Sequence, residues 1–342
     1  MNTRGKRAFI TGLYGQDGSY LAEHLLSQGY EVLGLITDSD TKHSNAELFR
    51  GVEGVSTHIG TLEDSHTYHD ALTEYAPDEV YNLAALSDLT SAGDNPERTM
   101  RINAWAPRDI AEIVFSVRPD ARIFQALSSR MLQAHEDGSI DESSQLTSSV
   151  HPYDVSKRAS YEEVVLPYRE KGFFIASGFL CNHESPRRGN RFVTGKIAEH
   201  VVLIANGEME MLSIGNVDAK RDWSYAGDFV RAMHAILALD EPDDFVIGSG
   251  AVQTVRDFIT LAFKAVGIEL HWEGNGVETK AYDEDRVLRV MVNPAYYKPD
   301  DNPVISNTAK LERMTKWQRT VTFEELVRMM VEREEEKINL LP

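Results

Sequence analysis

Tyr153 and Lys157, four residues apart in SSVHPYDVSKRASYEEVV, form the pair in this chain whose types and spacing carry the most chemistry. On a helix that spacing puts both side chains on one face. An ammonium held beside a phenol and a cofactor ribose favours the phenolate, so the phenol can take a hydroxyl proton while hydride leaves the same carbon. The pattern is common on helices, and its meaning comes from what precedes it. In IFQALSSRML, Ser128 and Ser129 close an apolar run that reads as a strand, and a hydroxyl there either shares a substrate oxygen with Tyr153 or caps the strand end. Further upstream, FITGLYGQDGSYLAEHLL sets Gly12, Gly15 and Gly18 between a strand-like run and an amphipathic one. Glycines in that place permit a tight turn, let the backbone approach a pyrophosphate and aim the helix N-terminus at its charge. Asp38 follows EVLGLIT, twenty residues past Gly18. A carboxylate there accepts hydrogen bonds from an adenosine ribose and repels a 2′-phosphate, which favours NAD over NADP; the other reading is a polar loop, TDSDTKHSN. The run NLAAL, Asn82 to Leu86, offers small residues against a flat ring.

These residues need a scaffold, and the text from residue 7 supplies one. Short apolar runs alternate with longer amphipathic ones: RAFITG, YLAEHLLSQGY, EVLGLIT, HDALTEYA, DEVYNLAAL, PRDIAEIVFSV, ARIFQALSS, SKRASYEEVVLPYREKG and FFIASGFL. Strands alternating with helices mean crossover units and a parallel sheet covered on both faces. The expected fold class is therefore α/β, a Rossmann-type doubly wound parallel sheet, with a smaller C-terminal substrate-binding cap. Residues 1–185 are assigned to the dinucleotide-binding domain, to which later segments return, and 186–342 mostly to the cap. In that second part NPAYYKPDDNP reads as loop and VTFEELVRMMVEREEEKI as an amphipathic helix.

Composition narrows the function classes. The 342 residues are 42% hydrophobic and 26% charged, enough for one large domain or two smaller ones sharing a cleft. There is no apolar run of membrane-spanning length, and the basic tail MNTRGKR leads straight into a strand, so a soluble cytoplasmic protein is expected. Lysine and arginine total 35 against 54 acidic residues, a net charge of −19, which argues against nucleic-acid and anionic-membrane partners. The single cysteine, Cys181, rules out an internal disulfide and a multi-thiolate metal site, and no metal is expected.

With these motifs in place the chain resembles the extended short-chain dehydrogenase/reductases and, within them, the GDP-mannose 4,6-dehydratase family. The resemblance spans nearly the whole length, through ITGLYGQDGSYLAEHLL, PDEVYNLAA, CNHESPRRGNRFVTGKI, IGNVDAKRDWSYAGDFV, DDFVIGSG and WEGNGVETK. It implies a GDP-sugar substrate and a homodimer or homotetramer. It also implies cofactor contacts from Gly12, Gly15, Gln16, Asp17, Gly18, Leu62, Ala84 and Arg188, alongside the Asp38 read above, with Arg187 or Arg188 near the cofactor or a subunit contact. Asn182, Val193, Lys196 and Arg221 would lie near the nucleotide and diphosphate. A guanidinium suits diphosphate oxygens because its planar fork matches two at once; the alternative for Arg221 is an internal ion pair with Asp222 or a neighbour.

Four departures from the family pattern matter. Ile36, Thr37 and Asp38 stand where arginines would hold a 2′-phosphate, which again favours NAD. Thr61 replaces an aspartate that would hold adenine, and Lys298 replaces an arginine that would contact GDP. Most consequentially, Ser128, Ser129 and Arg130 stand where the family reads Thr-Ser-Glu. The resemblance assigns that glutamate the C5 proton and the departing C6 hydroxyl after C4 is oxidised. An arginine, always protonated, carries no lone pair for this work. Three readings follow: a C4 epimerase or 4-dehydrogenase with Arg130 on a polar substituent at C5 or C6; a dehydratase with a recruited base such as Glu184 or His183; or a non-catalytic partner subunit, against which intact Tyr153 and Lys157 speak. The shared step is C4 oxidation of a GDP-hexose with Tyr153 as base, Lys157 lowering its pKa, and Ser128 or Ser129 placing the oxygen.

Overall fold

The computed structural model describes residues 5–299 and 304–339. Seven strands form a wholly parallel sheet in the order Asp244–Ile247, Phe174–Leu180, Arg122–Ser128, Glu79–Asn82, Arg7–Thr11, Glu31–Ile36 and Val55–Ile59. The central strands are buried along almost their whole length rather than on alternate residues, as a sheet with helices on both faces requires. One face packs Leu21, Leu25, Phe229, Met233 and Ile236, from the helices Gln16–Ser27 and Ala226–Leu237. The other packs Leu72, Ile110 and Val114, from His69–Tyr75 and Ala106–Val117. Each such side chain contributes roughly 1.5–3 kcal/mol of burial. The expected α/β architecture is what the chain adopts.

The strand order reverses between Arg7–Thr11 and Glu79–Asn82, and a crevice opens beyond the carboxyl ends of strands that diverge in this way. Gly12 leaves one of these strands and Leu83 and Ala84 leave the other, so the two small-residue runs meet at the switch point.

The run holding Tyr153 is a single rod in three parts: an α-helix Pro152–Ser160, a π-turn Tyr161–Val165 and an α-turn Leu166–Glu170. The rod packed beside it repeats the arrangement, with a π-turn Arg101–Trp105 before the helix Ala106–Val117. Each π-turn lies just before a proline, Pro167 or Pro107, whose missing N–H removes one helical hydrogen bond and lets the preceding turn widen.

A third core lies outside the sheet. Helices Val193–Ala205, Val255–Ala265 and Phe323–Asn339 enclose Trp223, Phe258 and Phe263 beside a four-stranded sheet of His271–Glu273, Lys280–Tyr282, Leu288–Val292 and Leu212–Ile214. Late segments also come back to early ones. Asp244–Ile247 closes the large sheet, Trp223–Tyr225 pairs with Asn182–Glu184, and Ile305–Ser306 pairs with Ser139–Ile140. The buried Asp222 carboxylate fixes this return, accepting from the Ser249 and Gly250 amides at 2.7 and 3.3 Å and from the Ser306 amide and hydroxyl at 3.1 and 2.6 Å. Part of the run read as loop, residues 300–303, lies outside the described residues; 293–299 holds a turn and no regular element. Among the described residues no helix is long and apolar enough to cross a membrane.

Candidate active site

At the switch point Thr11 organises the backbone. Its hydroxyl donates to Asn82 Oδ1 at 2.9 Å and accepts from the amides of Leu83 and Ala84, each at 3.0 Å, while Asn82 Nδ2 donates to Gln125 Oε1 at 2.8 Å. Gly12 has φ +75°, a left-handed conformation that disfavours a side chain. A Cβ on Gly18 would fall 2.2 Å from the Gly12 carbonyl oxygen, so the helix sits as close to the turn as a glycine allows. Gly15 caps that helix with no side-chain hydrogen bond, leaving an N-terminus suited to an anion. A pyrophosphate fits this cradle, because any larger residue would fill it. Ala84 is half-buried beside it, its Cβ 3.2 Å from where a Gly12 Cβ would be, and Leu62 is buried in the core with Leu33 and Leu35.

Two residues expected at the cofactor are engaged elsewhere. Asp17 accepts from His183 Nε2 at 2.8 Å, and His183 Nδ1 lies 2.8 Å from the Cys181 carbonyl. Gln16 bridges to the same segment, donating to the His183 carbonyl at 3.1 Å and accepting from the Ser185 hydroxyl at 2.8 Å. Burial works against both charges of the His183–Asp17 pair. The attraction between them prevails, raising the His183 pKa above its ordinary value and lowering that of Asp17. Asp38 lies exposed at the start of the short turn Asp38–Lys42. The strand before it ends at Ile36, one residue short of the expected Thr37, whose amide is taken by Asp40 Oδ2 at 2.8 Å.

Arg187 Nη2 donates to both oxygens of Glu23, at 2.7 and 2.8 Å, and Arg188 lies 3.0 Å from Glu184 and 3.6 Å above the Phe192 ring. Both line a cavity of about 530 Å³ shared with Tyr20, His43, Asn45 and Lys337.

The hydroxyl-handling residues meet on the other side of the crevice. Tyr153, 9% exposed, begins the second position of its helix, with its amide donating to His151 Nδ1 at 3.2 Å. One turn on, Lys157 is 4% exposed and its Nζ donates to the Ala126 carbonyl at 2.8 Å. Ser128 and Ser129 are buried at the end of the neighbouring strand. Burial raises the Tyr153 pKa, a hydrogen bond with Ser128 opposes the rise, Asp154 adds to it, and Arg130 and Arg188 pull it down. Burial lowers Lys157 to about 8. Asn103 ties this helix to the switch point, accepting from the Leu86 amide at 2.9 Å and donating to Ser156 Oγ at 3.0 Å.

Arg130 is clamped rather than free. Its Nε and Nη2 donate to the two oxygens of Asp154 at 2.9 and 3.0 Å, and the Ser149 hydroxyl donates to Asp154 Oδ2 at 2.7 Å. Asp154 is 3% exposed and Arg130 49%. The two side chains considered as substitute bases are also committed: Glu184 is buried and accepts from Thr194 Oγ1 at 2.6 Å, and His183 holds Asp17.

The remaining expected substrate contacts lie toward the third core. Asn182 is exposed on its strand, and Val193, 40% exposed, opens the helix Val193–Ala205. Lys196 Nζ donates to the Ser213 carbonyl at 3.1 Å and stands 5.6 Å from the Tyr296 ring; the Lys298 carbonyl accepts from Asn216 Nδ2 at 3.1 Å. Lys196 and Lys298 thus gather around one loop, whereas Arg221 lies on the short strand Lys220–Arg221, paired with Gln253–Thr254. Its neighbour Asp222 is occupied by Ser249, Gly250 and Ser306. Asp154, Ser149 and Asn103 are additions that sequence reasoning passed over; an acid directly after Tyr153 was the signal for the first.

Comparison with known proteins identifies the family and the fold. A family model described as GDP-mannose 4,6 dehydratase matches residues 9–330. The GDP-mannose 4,6 dehydratase 2 of Caenorhabditis elegans is 39% identical over 342 residues, covering 95% of this chain and 88% of that one. The GDP-mannose 4,6 dehydratase of Homo sapiens is 36% identical over 351 residues, covering 98% and 93%. Among solved structures, a dTDP-glucose 4,6-dehydratase from Bacillus anthracis in complex with NAD superposes with a TM-score of 0.79 at 15% identity, over 98% of each chain, a likeness of fold.

Proposed function

Since this chain belongs to the GDP-mannose 4,6-dehydratase family, we propose that it oxidises C4 of a GDP-hexose with a nicotinamide dinucleotide. The observation that carries this reading is the junction of Ser128, Tyr153 and Lys157 at the carboxyl edge of the sheet, facing the Gly12–Gly18 cradle across the switch point. Gly12, Gly15, Gly18, Leu62 and Ala84 would hold the dinucleotide, which supplies a hydride acceptor when bound. Tyr153 Oη takes the proton of the substrate's C4 hydroxyl, and Ser128 holds that oxygen in line. Lys157, still protonated below about pH 8, favours the phenolate that this transfer needs. Arg188 stands near enough to lower the Tyr153 pKa, so it serves the same charge balance from the cofactor side.

For the cofactor, the absence of a cation at Thr37 and Asp38 supports NAD over NADP. For the substrate, Lys196, Arg221 and Lys298 offer the charges a diphosphate requires, with Asn182 and Val193 beside the nucleoside. A homodimer or homotetramer remains part of the proposal on family grounds.

The fate of the ketone follows a second observation. The resemblance puts Arg130 where a glutamate would act on C5, and the neighbouring acid Asp154 is tied up by two donors from Arg130 and one from Ser149. Glu184 and His183 are likewise engaged. This arrangement favours C4 epimerisation or oxidoreduction over loss of water.

Incubation with GDP-mannose and NAD, read by cofactor absorbance and product mass, tests both readings. Cofactor reduction or C4 hydrogen exchange that disappears in Tyr153→Phe supports C4 oxidation; turnover surviving in that variant sinks it. A product lighter by one water overturns the second reading and leaves the first standing.

A further inference from the structure

The Arg130–Asp154 pair joins two elements that the chemistry needs in register. Arg130 begins where the strand Arg122–Ser128 ends, in the turn Ser129–Met131, and Ser128 Oγ accepts from its amide at 3.3 Å. Asp154 lies in the first turn of the helix Pro152–Ser160, directly after Tyr153. The contact therefore spans from the serine that would hold the substrate oxygen to the tyrosine that would take its proton.

A carboxylate buried to 3% exposure one residue from a phenol is costly and, unscreened, disfavours the phenolate. The two-pronged guanidinium contact supplies both the opposite charge and a fixed geometry, which a lysine's single point of charge does not. Resting on the reading of Tyr153 as the proton acceptor, we propose that Arg130 and Asp154 act as one positioning unit for Tyr153. The fork pins the first turn of its helix to the end of the serine-bearing strand and cancels the carboxylate beside the phenol. Among the described residues, charged or titratable groups about Tyr153 also include Arg188, from the loop after Asn182–Glu184, His151 at the cap just before its helix, and Lys157 one turn along it. Asp154 opposes phenolate formation and Arg130 promotes it, in agreement with the geometry.

The test compares Arg130→Gln, Asp154→Asn and the double variant with the parent and with Tyr153→Phe. Two readouts are taken: NMR titration of ring-labelled tyrosine in the cofactor-free protein, assigned by the Tyr153→Phe difference, and the pH profile of C4 oxidation of GDP-mannose with NAD. In Arg130→Gln the Tyr153 titration and the rising limb of the profile are expected to move up by about one pH unit. That is roughly a tenfold loss of rate at neutral pH with KM nearly unchanged. Asp154→Asn moves both the opposite way, and the double variant returns both close to the parent. Arg130→Lys restores the limb in part, because it keeps the charge and loses the fork.

Limbs and titrations that stay put in all three variants, while Tyr153→Phe is inactive, overturn the unit and leave the proton-acceptor reading intact. Activity retained by Tyr153→Phe overturns that reading instead. Should Arg130→Gln unfold, the double variant, neutral at both positions, carries the comparison with Asp154→Asn. A downward shift in Asp154→Asn beside a near-parental titration in the double variant then supports the unit, and equal titrations in these two proteins overturn it.

Discussion

The two walls of the crevice solve one electrostatic problem with different chemistry. On the cofactor side Asp17 follows the glycine turn and is met by His183; on the hydroxyl side Asp154 follows Tyr153 and is met by Arg130. In each case a carboxylate next to a working motif is neutralised by a cation from a distant segment. The cations differ in kind. An imidazolium can lose its proton near neutrality, while a guanidinium keeps its charge at every pH a protein survives. The carboxylate beside the glycine turn is therefore held by a pair that pH can break, and the one beside Tyr153 by a pair whose countercharge is fixed.

The strongest way to break this contrast is Lys157→Met, which removes a titrating cation from the hydroxyl wall. We expect about a 10²- to 10⁴-fold loss of C4 oxidation in stopped-flow measurements. In the parent, activity should decline above about pH 8 as Lys157 deprotonates. Survival of the alkaline limb in the methionine variant would detach that limb from Lys157. Next in size, Gly18→Ala drives a Cβ into the Gly12 carbonyl. It should lower stability by about 1–3 kcal/mol and weaken NAD binding at least tenfold by calorimetry.

A smaller effect sharpens the comparison directly. His183 has a raised pKa, so its contribution is complete below the unfolded value of 6.5 and fades as pH rises through its folded value. Asp17 has a lowered pKa, so its share is present above 3.8 and is lost on acidification through the folded value. Asp17→Asn should cost about 1–3 kcal/mol near pH 6 in urea unfolding and flatten this dependence above neutrality. The smallest expected change is Asp38→Ala. Because Asp38 is exposed, NAD affinity should fall by no more than about threefold, and a larger loss would show that the turn closes over the ribose.

The fold was readable because its signals are local. Uninterrupted apolar strands, amphipathic runs and glycine turns each declare themselves within a dozen residues, and the alternation of such runs dictates a parallel sheet. The same holds for Tyr153 and Lys157, whose spacing is itself the geometry. What the sequence concealed are the pairings that span the chain. Asp17 and His183 stand 166 positions apart, and nothing in GQDGSY or CNHESP announces that they meet. Arg130 read as a free group facing a substrate substituent, and His183 and Glu184 as available bases, because a sequence shows a charge and not its counterion. Asp154 was visible beside Tyr153, but only the 24-residue return to Arg130 gives it meaning.

The four bonds that converge on Asp222 bear on how the chain is made. Two of them come from Ser306, 84 positions later, so on the ribosome this carboxylate emerges long before half of its donors exist. The sheet edge at Asp244–Ile247 and the strand Trp223–Tyr225 can dock early, yet the cluster that fastens them closes only when Ser306 has left the exit tunnel. Nascent chains stalled before residue 306 should therefore remain protease-sensitive around residue 222, and the protein should acquire its final resistance late and in a single step.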